Sequence, residues 1–430
     1  MKFYSTNNSD HKLGFGEAVI QGLAADKGLY FPEHIPQLSA EFIAEIHNLS
    51  KEEIGVEVMR PFVSKDFSEQ DLNRIVKETL DFDFPLKEVS KNIFSLELFH
   101  GPTLAFKDVG ARFMSRTLRV VAEKESVVLV ATSGDTGSAV ANGFFNVPGI
   151  RVVLLYPSGK ISKIQEMQLT TLGNNITALE VEGVFDDCQD MVKAAFLDTE
   201  LSNKLSLTSA NSINVARWIP QSMYYFLAYA EAKRQGFKEV IFSVPSGNYG
   251  NITAGILGHK MGLPVKHFIA STNQNKVVPD YLESGIYKPM SSVPTISNAM
   301  DVGAPSNFVR LKELYNHSFS GLKESLSGFS LTDNQTKEVM KNCHENFDYI
   351  LDPHGAIGYE ALVKSQLCNA DTCGIFLETA HPAKFKGVVD SALGIDLDLP
   401  ERLQKLISKE KESTVIGNKA QDLKAFLKKF

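Results

Sequence analysis

Lys107 is the residue whose setting most favours covalent chemistry. It is the only lysine or arginine between Lys91 and Arg112, and Leu104, Ala105 and Phe106 lead into it. Apolar surroundings lower a lysine pKa, and the neutral amine that results can attack a carbonyl to form an imine. A lysine snorkelling from the start of a helix is the plainer reading of the same residue.

A second segment runs Thr132, Ser133, Gly134, Asp135, Thr136, Gly137. Its glycines let backbone come close to a ligand, Ser133 and Thr136 add hydroxyls, and N–H groups at a helix start suit a carboxylate or a phosphate. Asp135 would repel an anion, so it points to a partner carrying a proton or a positive charge. A helix cap with ordinary turn glycines explains the segment as well. A third segment, Ser246, Gly247, Asn248, Tyr249, Gly250, Asn251, is a glycine-rich turn that opens a helix and so has the makings of a phosphate cradle. Neither the dinucleotide fingerprint nor the triphosphate-binding loop is present, which leaves a small monophosphate as the simpler guest. A tight turn with asparagine at positive φ is the alternative.

In a fourth segment, residues 377–385, Thr379 can exchange one hydrogen bond with a ring, and His381 is an acid–base candidate that reads more simply as a structural residue beside Pro382. Lys160, Ser162 and Lys163 add local positive charge, as do Asn214 and Arg217, which fall on one face at i, i+3 if the segment is helical. Arginine with amide and hydroxyl neighbours makes a good phosphate site; solvated surface is the competing reading.

These segments fall between elements of regular pattern. Apolar, β-branched runs predict strands at 93–98, 127–131, 152–156, 176–181, 240–244, 265–270 and 374–377, with helical periodicity at 109–124, 138–144, 185–198, 215–233, 252–261 and 332–347. Alternating strands and helices of this length predict an α/β fold with doubly wound parallel sheets, in which ligands bind beyond the carboxyl ends of the strands. The candidate segments all sit at such strand-to-helix junctions. Residues 1–80 read as a mainly helical, charged domain with periodic stretches at 41–59 and 69–80; residues 81–430 read as the catalytic region, with a smaller α/β subdomain at about 108–200 and a larger one from the remainder. The tail beyond residue 393 reads as a solvated helical end.

Composition narrows the class. Apolar residues make up 43% of the 430, enough for a large core. A net charge of −7 argues against nucleic acid or an anionic membrane as partner. The cysteines, Cys188, Cys343, Cys368 and Cys373, form no CxxC pair and no zinc spacing, so no metal is expected. The polar start MKFYSTNNSDHK has no signal-peptide pattern, and no apolar run is long enough to span a bilayer, so the chain reads as cytoplasmic and as a monomer or homodimer.

Taken together and in this order, the segments HGPTLAFKD (100–108), ATSGDTGSA (131–139), NSINVAR (211–217), SGNYGN (246–251) and ETAHPAKF (378–385) resemble the fold-type-II enzymes of pyridoxal 5′-phosphate (PLP), the tryptophan synthase β-subunit superfamily. Within it they are most similar to threonine synthases of the longer class with an N-terminal extension, as are GLAADKGLY (22–30) and DVGAPSN (301–307). The resemblance covers the chain to about residue 393. It implies two doubly wound open sheets with a mainly helical N-terminal region. It also implies that Lys107 carries PLP through an imine bond and that the 246–251 loop cradles the cofactor phosphate. Thr379 then stands beside the pyridine nitrogen, which a neutral hydroxyl leaves largely unprotonated. Residues 132–137 would grip the substrate carboxylate and approach the cofactor's 3′-oxygen; Asp135 stands where the wider superfamily has asparagine. The implied reaction converts O-phospho-L-homoserine and water to L-threonine and phosphate, with Lys160, Asn214 and Arg217 as candidates for the substrate phosphate and Ser162 and Lys163 as contributors beside them. A phospholyase or a serine/threonine dehydratase shares the same scaffold, and a non-catalytic amino-acid-binding protein is the reading from another class.

Overall fold

The computed structural model describes residues 1–429. Its centre is two sheets. The larger has the strand order Leu326–Ser330, Val265–Thr272, Glu239–Pro245, Thr372–Glu378, Ile93–Glu97, Leu86–Ser90, parallel throughout except for the antiparallel edge strand Leu86–Ser90. The smaller has the order Thr414–Ile416, Ile176–Val181, Ile150–Pro157, Ser126–Ala131, Ser206–Ser209 and is parallel throughout.

The apolar runs that predict these strands are continuous because both faces are covered. Ser126–Ala131 is buried along its whole length. Val128 and Val130 face the main core, while Val127, Leu129 and Ala131 face a second core with Cys188 and Met191. Side chains that alternate across a strand thereby feed two hydrophobic layers. In the larger sheet Val240, Phe242 and Val244 join the main core, and Ile241 points the other way, toward Ile357 and Phe376.

Several elements differ from the sequence reading, each for a local reason. The expected helix 215–233 is broken into Val215–Trp218, a 3-10 turn at Ile219–Gln221 and Ser222–Arg234. Pro220 lacks an N–H and its ring obstructs the preceding turn. The expected helix 138–144 begins earlier, at Asp135, because Gly134 adopts φ 133°, ψ −86° at its N-cap, a conformation open to glycine. Residues 1–80 carry helices in the expected stretches, at Ala40–Glu45, Lys51–Val63 and Glu69–Thr79, and also a helix at Phe15–Gln21 and a small antiparallel sheet of Phe3–Ser5, Asn8–Leu13 and Tyr30–Pro32, neither of them expected. That sheet has no legible alternation: Asn8–Leu13 is NSDHKL, polar and largely exposed, and its neighbours are short.

The tail is not a solvated end. Thr414–Ile416 adds a parallel strand beside Ile176–Val181, so the smaller sheet takes in Ser206–Ser209 and Thr414–Ile416 from outside the expected segment 108–200. Glu401–Ile407 packs against Lys163–Thr170, with Leu403 buried among Leu104, Ile164 and Ala383. Ala420–Leu427 packs on Phe185–Leu197 through Leu423 and Leu427. Among the described residues no helix is long and apolar enough to cross a membrane.

Leu423 is fully buried. Leu423→Ala is expected to cost about 2–5 kcal/mol and to lower the thermal unfolding midpoint; an unchanged midpoint would show that the tail does not share the core.

Candidate active site

Strand Ile93–Glu97 ends in a loop that delivers Lys107 as the first residue of helix Lys107–Val121. The loop is closed on itself by the buried Asp108, whose carboxylate accepts from the Thr103 N–H at 2.9 Å and the Thr103 hydroxyl at 2.6 Å. A side chain at Gly101 would place its Cβ 2.5 Å from that carboxylate, so the loop closes only with glycine there. The same loop is pinned to the end of the neighbouring strand. The Phe106 N–H donates to the Thr379 carbonyl at 2.9 Å, the His381 N–H donates to the Leu104 carbonyl at 3.1 Å, and Ala105 bridges Ala380. Lys107 keeps part of its surface open but is closely surrounded by protein. Burial lowers its pKa; the Asp135 charge opposes that shift, and the Lys384 and Arg217 charges reinforce it.

Strand order then sets the axis of the site. Ile93–Glu97, Thr372–Glu378 and Glu239–Pro245 are consecutive neighbours, and their carboxyl ends lead to Lys107, Thr379 and residues 246–251 respectively. At about 4.8 Å between strands, the outer two lie about 10 Å apart. The 246–251 turn passes through Tyr249 at φ 62° and opens helix Gly250–Lys260. No carbonyl among the described residues accepts from the backbone N–H groups of residues 247–251. These are the orphan donors of a helix start.

The side chains of the turn are mostly engaged elsewhere. The Ser246 hydroxyl donates back to the Val244 carbonyl at 2.8 Å. Asn248 donates to Ser212 at 2.7 Å and accepts from the Ser306 N–H at 2.6 Å. The Asn251 carbonyl oxygen accepts from Tyr224 and Tyr225 at 2.6 and 2.7 Å, while its amide nitrogen and the Tyr249 hydroxyl are buried without partners.

The smaller sheet supplies the facing wall. Thr132 organises the loop after Ser126–Ala131: its hydroxyl oxygen accepts from the N–H groups of Gly134 and Gly137 at 2.9 and 2.8 Å. Ser133 is exposed and Thr136 half-buried. Asp135 is buried and paired with Lys384, whose Nζ lies 2.7 Å from Oδ1; Gln165 donates to the same oxygen at 3.0 Å. Burial alone would raise the Asp135 pKa, but the charges of Lys384 and Lys107 and these two hydrogen bonds hold it well below the usual carboxylate range. The Ser162 hydroxyl caps helix Lys163–Thr170, accepting from the Gln165 N–H at 3.2 Å, and Lys160 and Lys163 are exposed nearby.

Asn214 and Arg217 do not share a ligand face. Asn214 is the fully buried N-cap of Val215–Trp218. Its amide donates to the carbonyls of Val19 and Ser209 at 2.9 and 3.1 Å, and its oxygen accepts from the Ala216 N–H at 3.0 Å. With every amide atom committed, it has nothing to offer a phosphate, so the expected anion contact is corrected to a cap. Arg217 is buried and donates to the Ala210 carbonyl through Nη1, but its Nε has no partner. Burial pushes its pKa down to about 10, against the pull of Asp108, so it stays charged at neutral pH. His381 caps the turn Pro382–Phe385, its Nδ1 accepting from the Ala383 N–H at 3.1 Å. Burial, with the charge of Arg402 beside it, pushes its pKa down to about 4. That is a neutral, structural histidine.

Sequence reasoning passed over Lys384, Gln165 and Asp108 as site residues. Lys384 falls in the segment 378–385, but a lysine near a helix start carries no mark of full burial. The donor set suits PLP: an amine held toward its neutral form, a threonine at the middle strand, and unpaired backbone N–H groups at the far end, backed by the orphaned amide of Asn251.

Comparison with known proteins agrees. Residues 2–80 match the family model for the threonine synthase N terminus, residues 82–377 that for pyridoxal-phosphate dependent enzymes, and residues 355–427 that for the threonine synthase C-terminal region. Over 430 residues, the whole of both chains, the sequence is 45% identical to threonine synthase of Haemophilus influenzae. The crystal structure of threonine synthase from Escherichia coli superposes with TM-score 0.94 at 41% identity, covering 100% of both chains. A PLP-bound threonine synthase from Brucella melitensis gives 0.92 at 35%, covering 100% of this chain and 99% of the other. A serine racemase from maize, at 14% identity and TM-score 0.52 over 87% of this chain and 97% of the other, shares the fold alone. The chain is a PLP-dependent enzyme and belongs to the threonine synthase family.

Proposed function

We propose that this chain converts O-phospho-L-homoserine and water to L-threonine and phosphate, with Lys107 as the amine that holds the cofactor and moves the proton at the substrate Cα. One observation carries the assignment of residues: three adjacent strands of the larger sheet present an amine, a hydroxyl and a row of free backbone N–H groups in that order. Residues 1–80 then form a supporting domain, and residues 81–430 the catalytic region.

Bound there, PLP supplies an electron sink for charge that develops at Cα and Cβ. The protein's own residues do the rest. The backbone N–H groups of Gly247, Asn248, Tyr249, Gly250 and Asn251 would hold the cofactor phosphate at the positive end of helix Gly250–Lys260. Ser246 fixes the entry to that turn through its bond to Val244. Thr379 would offer the ring nitrogen a neutral hydroxyl. Asp135, kept ionised by its partners, would accept a hydrogen bond from a proton-bearing 3′-oxygen of the ring.

Ser133, Gly134, Thr136 and Gly137 receive the substrate carboxylate, and Thr132 holds their loop in shape. With its amine free, Lys107 Nζ would remove the Cα proton, which its lowered pKa favours. A second proton leaves Cβ and the C–O bond at Cγ breaks, phosphate departing with the bonding electrons. Cγ regains a proton, water adds its oxygen at Cβ, and Cα is reprotonated. Lys160 and Ser162 flank the leaving phosphate, with Lys163 adding charge at the rim. Arg217 adds a buried charge whose Nε has no protein partner.

Lys107→Ala is expected to abolish turnover and the visible absorbance of covalently held cofactor; persistence of that band would remove Lys107 from the role. Arg217→Ala is expected to raise KM for O-phosphohomoserine about 10- to 150-fold, the equivalent of about 1.5–3 kcal/mol for a charge-assisted contact, while inhibition by homoserine changes little. Equal loss for the two ligands would take Arg217 out of the phosphate site.

A further inference from the structure

Lys384 is a second lysine buried at the reacting centre. It is 1% exposed and comes from the turn Pro382–Phe385 after strand Thr372–Glu378. Its Nζ lies 2.7 Å from Asp135 Oδ1 and donates to the Thr103 carbonyl at 3.1 Å. A buried ammonium survives only when paired and hydrogen-bonded, and here it has both. The contacts are specific to this corner. Asp135 begins the helix of the smaller sheet, Thr103 belongs to the loop that closes over Asp108, and that loop delivers Lys107.

Asp135 poses a problem for Lys107. A carboxylate beside a buried amine stabilises the ammonium, and an ammonium has no lone pair with which to attack an aldehyde or to accept the Cα proton. With no other partner for Asp135, its charge would favour the Lys107 ammonium. Lys384 prevents this in two ways. It shares Asp135 Oδ1 with the amide of Gln165, and it sets a like charge near Lys107, where protonation of the second amine costs more. The charged groups that face Lys107 are Asp135, Lys384 and Arg217, and Asp108 faces both Lys384 and Arg217. Of the three charges that act on Lys107 only Asp135 favours the ammonium, and it is the one that Lys384 engages.

We propose that Lys384 is a positioning residue for the reaction: its ion pair with Asp135 keeps that carboxylate from capturing Lys107, so the tethering amine meets the cofactor aldehyde and the substrate in its neutral form. The direction of the Lys107 pKa agrees, since burial and the Lys384 charge both lower it. The inference rests on Lys107 being the tether, as proposed above.

The test is cofactor uptake by the apoprotein as a function of pH, followed through the visible absorbance of covalently bound PLP. Lys384→Met is expected to move the uptake midpoint up by about one pH unit, so that uptake near neutral pH slows about tenfold. Lys384→Gln, which fills similar space and keeps a donor for Thr103, is expected to give the same shift if the methionine variant folds poorly. Adding Asp135→Asn to either is expected to cancel the shift, because no carboxylate remains to capture Lys107. A merely structural ion pair would lower the thermal midpoint and leave the pH profile in place. An unchanged profile in the folded single variants, or an equal shift with and without Asp135, overturns the proposal. Failure of the unsubstituted protein to form the absorbance band would instead overturn the tether.

Discussion

The ion pair between Asp135 and Lys384 joins the two sheets at the point where Lys107 emerges. Asp135 belongs to a helix of the smaller sheet and Lys384 to a turn of the larger one, and the Gln168 amide repeats the crossing by donating to the Thr103 carbonyl at 3.1 Å. A buried pair of opposite charges loses much of its stabilisation to desolvation, and breaking it by removing one partner is costly. Such a contact contributes more to register than to stability. Here the register brings together a carboxylate, two amines and an arginine, and the charges of Asp135, Lys384 and Arg217 all act on the Lys107 amine.

The tail belongs to the same arrangement. Arg402 donates to the Gly101 carbonyl at 2.7 Å, Leu403 fills a cluster with Leu104, Ile164 and Ala383, and Lys411 reaches Glu166 at 2.6 Å and Glu180 at 2.5 Å. It ties the loop that delivers Lys107 to the helix Lys163–Thr170, which carries Gln165 and so touches Asp135. The two sheets are thus fastened on one side by the Asp135–Lys384 pair and on another by a tail with both charged and apolar contacts.

Much of this was legible in the sequence because burial on both faces leaves a continuous apolar run, as in Ser126–Ala131 or Thr372–Glu378, and because loops at strand ends expose their glycines and hydroxyls. Lys107, the 246–251 turn and Thr379 stood out for those reasons. Tertiary partners were not legible. Asn214 and Arg217 look like a phosphate clamp until Val19 and Ser209 are found to take the amide hydrogens of Asn214. Lys384 looks like a surface lysine until Asp135, 249 positions earlier, is found against it. Thr414–Ile416 is too short to read as a strand without Ile176–Val181 beside it. In each case the deciding contact joins residues far apart in the chain.

Two lysines therefore stand at one centre, and the account assigns them opposite duties: Lys107 bonds the cofactor, while Lys384 remains an ammonium held by Asp135. Borohydride reduction of the PLP-loaded enzyme, followed by digestion and mass spectrometry of the labelled peptide, separates them directly. The account predicts a pyridoxyl group on Lys107, in the peptide that contains Leu104, Ala105 and Phe106. A pyridoxyl group on Lys384, or on any other lysine, would contradict it.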